Sequence, residues 1–211
     1  MKIIEPSFQI VSNINGMQAL QDIEYIARTC YKSEEYITDI SAVKMVERLI
    51  HRGHEAMLEH YSFSVKFIVD RGVSHEIIRH RVASFAQEST RYCNYAKDRF
   101  GNEITVIKPC YLAEDTENYR IWKKVCEASE RAYFNMLDND ATPQEARAVL
   151  PMSLKTEVCM TANLREWRHF FKLRAVGITG APHPQMREIA VPLLAEVKDI
   201  IPVVFDDIIC E

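Results

Sequence analysis

Five side chains able to hold an anion fall within thirteen residues: Arg79, His80, Arg81, Ser89 and Arg91. A guanidinium is a planar fork that meets a phosphate with two parallel hydrogen bonds, where a lysine offers a point charge. Each charged hydrogen bond contributes about 1.5–3 kcal/mol, so three or four suit a small phosphorylated ligand. From Arg71 to Arg99, six Lys/Arg stand against three acids, with His75 and His80 added, in a chain whose net charge is −4. A second cluster sets Arg165, Arg168, Lys172 and Arg174 against Glu166. Local arginine clusters in an acidic chain point to a discrete anion, and away from nucleic acid or an acidic membrane. The competing reading is solvated arginines paired with nearby glutamates.

Two placements constrain that chemistry. If Arg79 and Arg81 share a helix, they diverge by about 200° and cannot clamp one phosphate together. They would then serve two ligands, or one ligand and a neighbouring subunit. Arg174 falls on the same helical stripe as Leu164, Trp167 and Phe171. A charge on an apolar face is costly unless paired. It either snorkels from the helix end or aims into a closed pocket at developing negative charge.

The elements that must carry these residues are legible in part. Residues 2–11 alternate loosely as a strand, and 61–69 do so clearly, with Phe63, Val65, Phe67 and Val69 on one face. Helices are predicted over 17–30, 42–52 and 116–138. Another begins at Thr142-Pro143, and a last one covers 185–200 with a bend at Pro192. SHEIIRHR reads as a short helix with Ser74 as N-cap, and Asn163 caps a helix to about 174. SFAQESTRYCNYAKDRFGN has no sustained period and reads as a long, functional loop. Residues 152–162 alternate again, and GITGAPHP is turn-rich. Strands and helices mix without a βαβ rhythm, which predicts an α+β fold with a mostly antiparallel sheet flanked by helices, in a single domain over 1–211.

Composition excludes several classes. With 211 residues, 47% apolar and 27% charged, the chain suits a globular protein. No apolar run approaches the roughly 20 residues of a membrane span. The opening MKIIEPSFQIVS alternates and carries Glu5, against a signal peptide. Six scattered cysteines form no CxxC pair and read as reduced thiols, so a cytoplasmic location is expected. His51, His54 and His60 are a weak alternative metal set that no carboxylate pattern completes. A non-catalytic nucleotide- or flavin-binding regulator is a further alternative.

Arg79-His80-Arg81, seven residues, Ser89, one residue, Arg91 resembles the RHR-x7-S-x-R signature of flavin-dependent thymidylate synthases. ARTCYKS at 27–33, HRGHEAMLEH at 51–60, EARAVLP at 145–151, NLREWRHFFKLRA at 163–175 and HPQMREIA at 183–190 resemble that family's other blocks, in order. The resemblance implies a homotetramer with active sites at subunit interfaces. It implies FAD as cofactor, with dUMP, methylenetetrahydrofolate (a folate) and NADPH as substrates and dTMP as product. By the same resemblance Arg79, His80 and Arg81 are flavin-site residues, Arg79 also near the nucleotide. Gln87, Glu88, Ser89, Thr90 and Arg91 cradle dUMP, with Arg91 and Arg147 at its phosphate. Glu76 belongs to the substrate site and Gln87 also touches the cofactor. Asn163, Arg165 and His169 contact flavin, and His54 and Glu59 line the flavin and folate region. Arg174 is the catalytic residue, facing the pyrimidine near N3, and no cysteine nucleophile or resident metal is needed. The chain departs from the family at Glu76, Ala86, Gln87, His169 and GITGAP.

Overall fold

The computed structural model describes residues 1–210; Glu211, the last residue of the expected domain, and the side chain of Arg99, counted in the first basic cluster, lie outside the description. The elements are strands β1 (Lys2–Ile4), β2 (Ser7–Ile10), β3 (Ser62–Asp70), β4 (Ala83–Gln87), β5 (Thr105–Ile107) and β6 (Lys155–Asn163). The helices are α1 (Gly16–Thr29), α2 (Ser41–His51), α3 (Arg71–Ile77), α4 (Glu117–Asp138), α5 (Pro143–Ala146), α6 (Leu164–Phe171) and α7 (Pro184–Ile200). The fold is α+β. One sheet has the order β2-β3-β6-β4, and β1 and β5 form a separate parallel pair. The larger sheet is antiparallel. Along β3 and β6, Ser64 meets Thr161 at 2.7 Å and Lys66 meets Glu157 at 3.2 Å, so one number rises as the other falls.

The chain forms two compact units. The first comprises residues 1–8, 66–79 and 85–159. Its core gathers Tyr95, Ile104, Val106, Cys126, Tyr133 and Leu154. Cys126 and Tyr133 are one stripe of α4, seven residues apart, and Thr116 caps that helix by accepting from the Tyr119 amide. The second comprises residues 9–65, 80–84 and the chain from Met160 on. There Trp167 stacks on Phe63 with centroids 4.8 Å apart and donates its indole N–H to the Phe63 carbonyl at 3.2 Å. Phe171 meets Phe205 edge-on.

Four local expectations need correcting. Residues 2–11 are two strands rather than one, because Pro6 lies between them and has no amide hydrogen for a ladder. The helix before the arginines starts at Arg71, capped by Asp70, which accepts from the Val73 amide at 2.7 Å; Ser74 is inside it. It ends at Ile77, so Arg79 and Arg81 share no helix. The first residues of the expected long loop form β4; only from Glu88 is the chain irregular. Among the described residues no helix is long and apolar enough to cross a membrane.

Candidate active site

In the second unit, Asn163 ends β6 and caps α6, its Oδ1 accepting the Glu166 amide at 2.9 Å. This fixes the first turn of a helix whose inner positions Leu164, Trp167, Phe170 and Phe171 are fully buried. Glu166 is also buried, and its Oε1 lies 2.9 Å from Nδ1 of buried His80. On the other side of that ring, Arg174 Nε donates to His80 Nε2 at 3.2 Å. A guanidinium Nε–H can only donate, so Nε2 must be the unprotonated nitrogen. His80 is therefore neutral with its proton on Nδ1, donated to Glu166. His169 stands edge-on to His80 at 5.7 Å, and Phe170 lies at 5.0 Å.

Arg174 reaches His80 from a π turn, Lys172–Val176, rather than from regular helix. A π turn closes i→i+5, and the Gly177 amide donates to the Lys172 carbonyl. The turn stops at Gly177, whose φ of +87° suits glycine and where an added Cβ would sit 2.7 Å from the Gly180 carbonyl oxygen. The buried position is Ala175; Arg174 is only partly covered. The expected apolar stripe thus ends before Arg174, and the guanidinium is not stranded in the core.

Beside this cluster is a cavity of about 320 Å³ lined by Glu59, Asn163, Arg165, Glu166, His169 and Lys172 among others. That is the small end of the roughly 300–1,000 Å³ typical of ligand sites. Arg165 reaches Glu59 at 2.5 Å in an exposed pair, and Lys172 lies 3.7 Å from Glu55. His54 is exposed and is not among the lining residues. Arg168, grouped with the anion-binding candidates of the second cluster, has a different task. It is 1% exposed, and its two terminal nitrogens engage the Asp207 carboxylate at 2.6 and 2.7 Å, with Glu55 and the Val204 carbonyl as further acceptors.

In the first unit, the last residue of β4 and the one after it turn their polar side chains inward. Gln87 Nε2 donates to Ser74 Oγ at 2.9 Å and to Thr156 at 3.3 Å. Glu88 accepts from Tyr95 at 3.2 Å and from Lys155 at 2.9 Å. Burial, and then the Glu88 carboxylate, push the Tyr95 hydroxyl far above the usual phenol range. Ser89 Oγ accepts the Arg91 amide at 3.3 Å, a serine turn that starts the loop. Thr90 is buried, and Arg147 reaches its hydroxyl at 3.5 Å, which brings Arg147 to the loop that carries Ser89 and Arg91. Glu76 lies half-buried in α3. Arg79, Arg81, Arg91 and Arg147 are exposed on the single chain.

Glu166, Glu55 and Asp207 were not singled out from sequence. An i, i+3 relation between Asn163 and Glu166 before an apolar run was a usable signal for the first, as a capping arrangement. Among the described residues, one group of three has donor atoms spaced for a metal ion: His80, Glu166 and His169, within 4.8 Å of one another. The set His51, His54 and His60 does not form such a group.

Two expectations follow. Burial most strongly, and then the nearby Arg174 and His169, hold the His80 pKa below the usual 6.5, against the pull of Glu166. A folded pKa below the unfolded one means the unfolded chain binds the proton more readily. That stability is complete above about pH 6.5 and is lost as pH falls through the depressed value. Melting curves between pH 7.5 and 5 should show this acid loss, and His80→Gln should flatten it. For Asn163→Ala, loss of the cap should cost about 1 kcal/mol, about 2–4 °C in Tm, while Asn163→Ser keeps the cap and the Tm.

A family model described as "Thymidylate synthase complementing protein" matches residues 13–203. The chain is 33% identical over 187 residues to the flavin-dependent thymidylate synthase of Pyrococcus furiosus, covering 86% of this chain and 74% of that protein. It is 30% identical over 188 residues to the flavin-dependent thymidylate synthase of Geobacter sulfurreducens, covering 86% and 78%. Among solved structures, a UMP/dUMP methylase, PolB, from Streptomyces cacaoi bound with 5-Br dUMP shares the fold, with a TM-score of 0.80 at 20% identity over 98% of this chain and 96% of that one.

Proposed function

Because the chain belongs to the flavin-dependent thymidylate synthase family, we propose that it methylates dUMP to dTMP with FAD as cofactor, methylenetetrahydrofolate as one-carbon donor and NADPH as reductant. As a member of that family it is an FAD-dependent methyltransferase. The observation that carries the fuller reading is Arg174 held by His80, next to a cavity lined by Asn163, Arg165 and His169.

The cavity's donors suit a flavin. Amide, guanidinium and imidazole N–H groups match the carbonyl oxygens and ring nitrogens of an isoalloxazine. Its volume is too small for the whole of FAD, so the dinucleotide must extend beyond it. Asn163, Arg165 and His169 would hold the cofactor here with Glu59 at the margin, while His80, both ring nitrogens engaged, would serve the site through Arg174; His54, Arg79, Arg81 and Gln87 are proposed as further cofactor contacts. Ser89, Thr90, Arg91 and Arg147 would bind the dUMP phosphate, with Glu76, Gln87 and Glu88 shaping that loop. As in the family resemblance, the chain is proposed to act as a homotetramer in which neighbouring chains complete each site.

The chemistry asked of the protein is electrostatic. Uracil C5 is a weak carbon nucleophile. A guanidinium at the N3 edge stabilises negative charge on the ring and makes C5 more reactive, and it does so most strongly where water is excluded. Arg174, its Nε already fixed by His80, needs little reorganisation to act this way. Once bound and reduced by NADPH, the flavin would supply the hydride that completes the methyl group. The methylene of the folate joins C5, the C5 proton leaves and tetrahydrofolate is released, with no thiol attack.

Purified protein should be yellow, release FAD on denaturation, and change its flavin absorbance when dUMP is added. Colourless protein that takes up no added FAD would end this reading.

A further inference from the structure

We propose that Glu166 is a positioning residue for this reaction: it fixes which nitrogen of His80 carries the proton, and so lets His80 hold Arg174. The inference rests on the proposed function, in which Arg174 faces the pyrimidine.

The chain of contacts is continuous. Glu166 is buried, and Asn163 pins its backbone through the helix cap. Its Oε1 faces Nδ1 of His80 at 2.9 Å, and Nε2 of the same ring faces Arg174 Nε at 3.2 Å. Without the carboxylate, an imidazole is free to place its proton on either nitrogen. A proton on Nε2 would point N–H at N–H and push the guanidinium away. Arg174 stands in the π turn that ends α6, and the His80 contact is one of those that set its direction.

The same cluster has spacing suited to a metal ion, which is the main competitor. The geometry argues against it: Glu166 faces Nδ1 of His80 and the Arg174 Nε–H occupies Nε2, so a cation bound through His80 would have to displace one of them. A proton on Nδ1 satisfies the pair without added charge. The charged and titratable groups that act on His80 are Glu166 and His169 from α6 and Arg174 from the π turn; its chain neighbours Arg79 and Arg81 are exposed, and the Phe170 ring lies 5.0 Å away.

The test is nitrogen NMR on the flavin-loaded protein with 15N-labelled histidine, His80 being assigned by loss of its signal in His80→Gln. Wild type should show the Nδ1–H tautomer. Glu166→Gln keeps the shape and removes the charge, so His80 should titrate at lower pH than in wild type. Glu166→Ala should show a tautomer mixture and a turnover number per bound flavin about 10- to 100-fold lower, with the KM for dUMP near wild type. An unchanged His80 titration in Glu166→Gln, or an unchanged tautomer with normal turnover in Glu166→Ala, would overturn the inference. So would one equivalent of zinc in wild type that is lost in Glu166→Ala. Should Glu166→Ala not fold, the Glu166→Gln titration still decides. If wild type never converts dUMP, the functional reading fails, while the NMR arms still report whether Glu166 governs His80.

Discussion

Arg174→Ala is expected to stay folded and flavin-bound while forming dTMP about 100- to 1,000-fold more slowly. The size follows from the role: a cation placed where charge develops acts on the transition state far more than on bound substrate. The fall should therefore appear in kcat, with a smaller change in the KM for dUMP. Folding should survive because Arg174 is only partly covered and the buried position of its turn is Ala175. Arg174→Lys restores charge without a planar fork or an Nε–H aimed at His80, so partial activity is expected. Normal turnover by Arg174→Ala, measured as dTMP formed against time, would remove Arg174 from the mechanism.

The second large effect concerns stability. Arg168→Ala should destabilise the protein by about 3 kcal/mol, the low end for breaking a buried ion pair. The low end is chosen because Asp207 and Glu55 are partly exposed and can be rehydrated. The Val204 carbonyl also loses its donor, and the long buried side chain leaves a void. At about 2–4 °C per kcal/mol for this chain length, Tm should fall by about 6–12 °C. Arg165, three residues earlier, is exposed, and Arg165→Ala should melt close to wild type. Equal Tm values for the two variants would contradict the clamp.

That pair of arginines shows where sequence reading stops. Both stand in one short basic cluster, yet one is core and the other rim. What separates them is Glu55 and Asp207, 113 and 39 residues away in the chain, and no local period reports such partners. Caps are local and were read with mixed success: Asn163 caps α6 as expected, but Asp70 rather than Ser74 caps α3. The antiparallel α+β class followed from strands and helices mixing without a βαβ rhythm, and the alternating stretches 61–69 and 152–162 are β3 and β6 in large part. β4 escaped because Ala83, Ser84 and Ala86 give almost no hydrophobic contrast. The π turn was unreadable because its closing bonds depend on Gly177 and the chain after it, while the 3.6-residue stripe continued through Arg174 on paper. The site motif was recognisable as a string, but the tautomer of His80 was not, since it depends on Glu166 and Arg174 approaching opposite nitrogens of one ring.

The account turns on this chain replacing the C5 hydrogen of dUMP with a carbon unit, assisted by flavin and by Arg174. Its most direct measurement is tritium release from [5-³H]dUMP by the FAD-loaded protein, with methylenetetrahydrofolate and NADPH supplied. Release matched by dTMP formation, and nearly abolished in Arg174→Ala, is the predicted result. A fully flavin-loaded, folded protein that releases no tritium above a protein-free control, or releases it equally well without Arg174, would contradict the account.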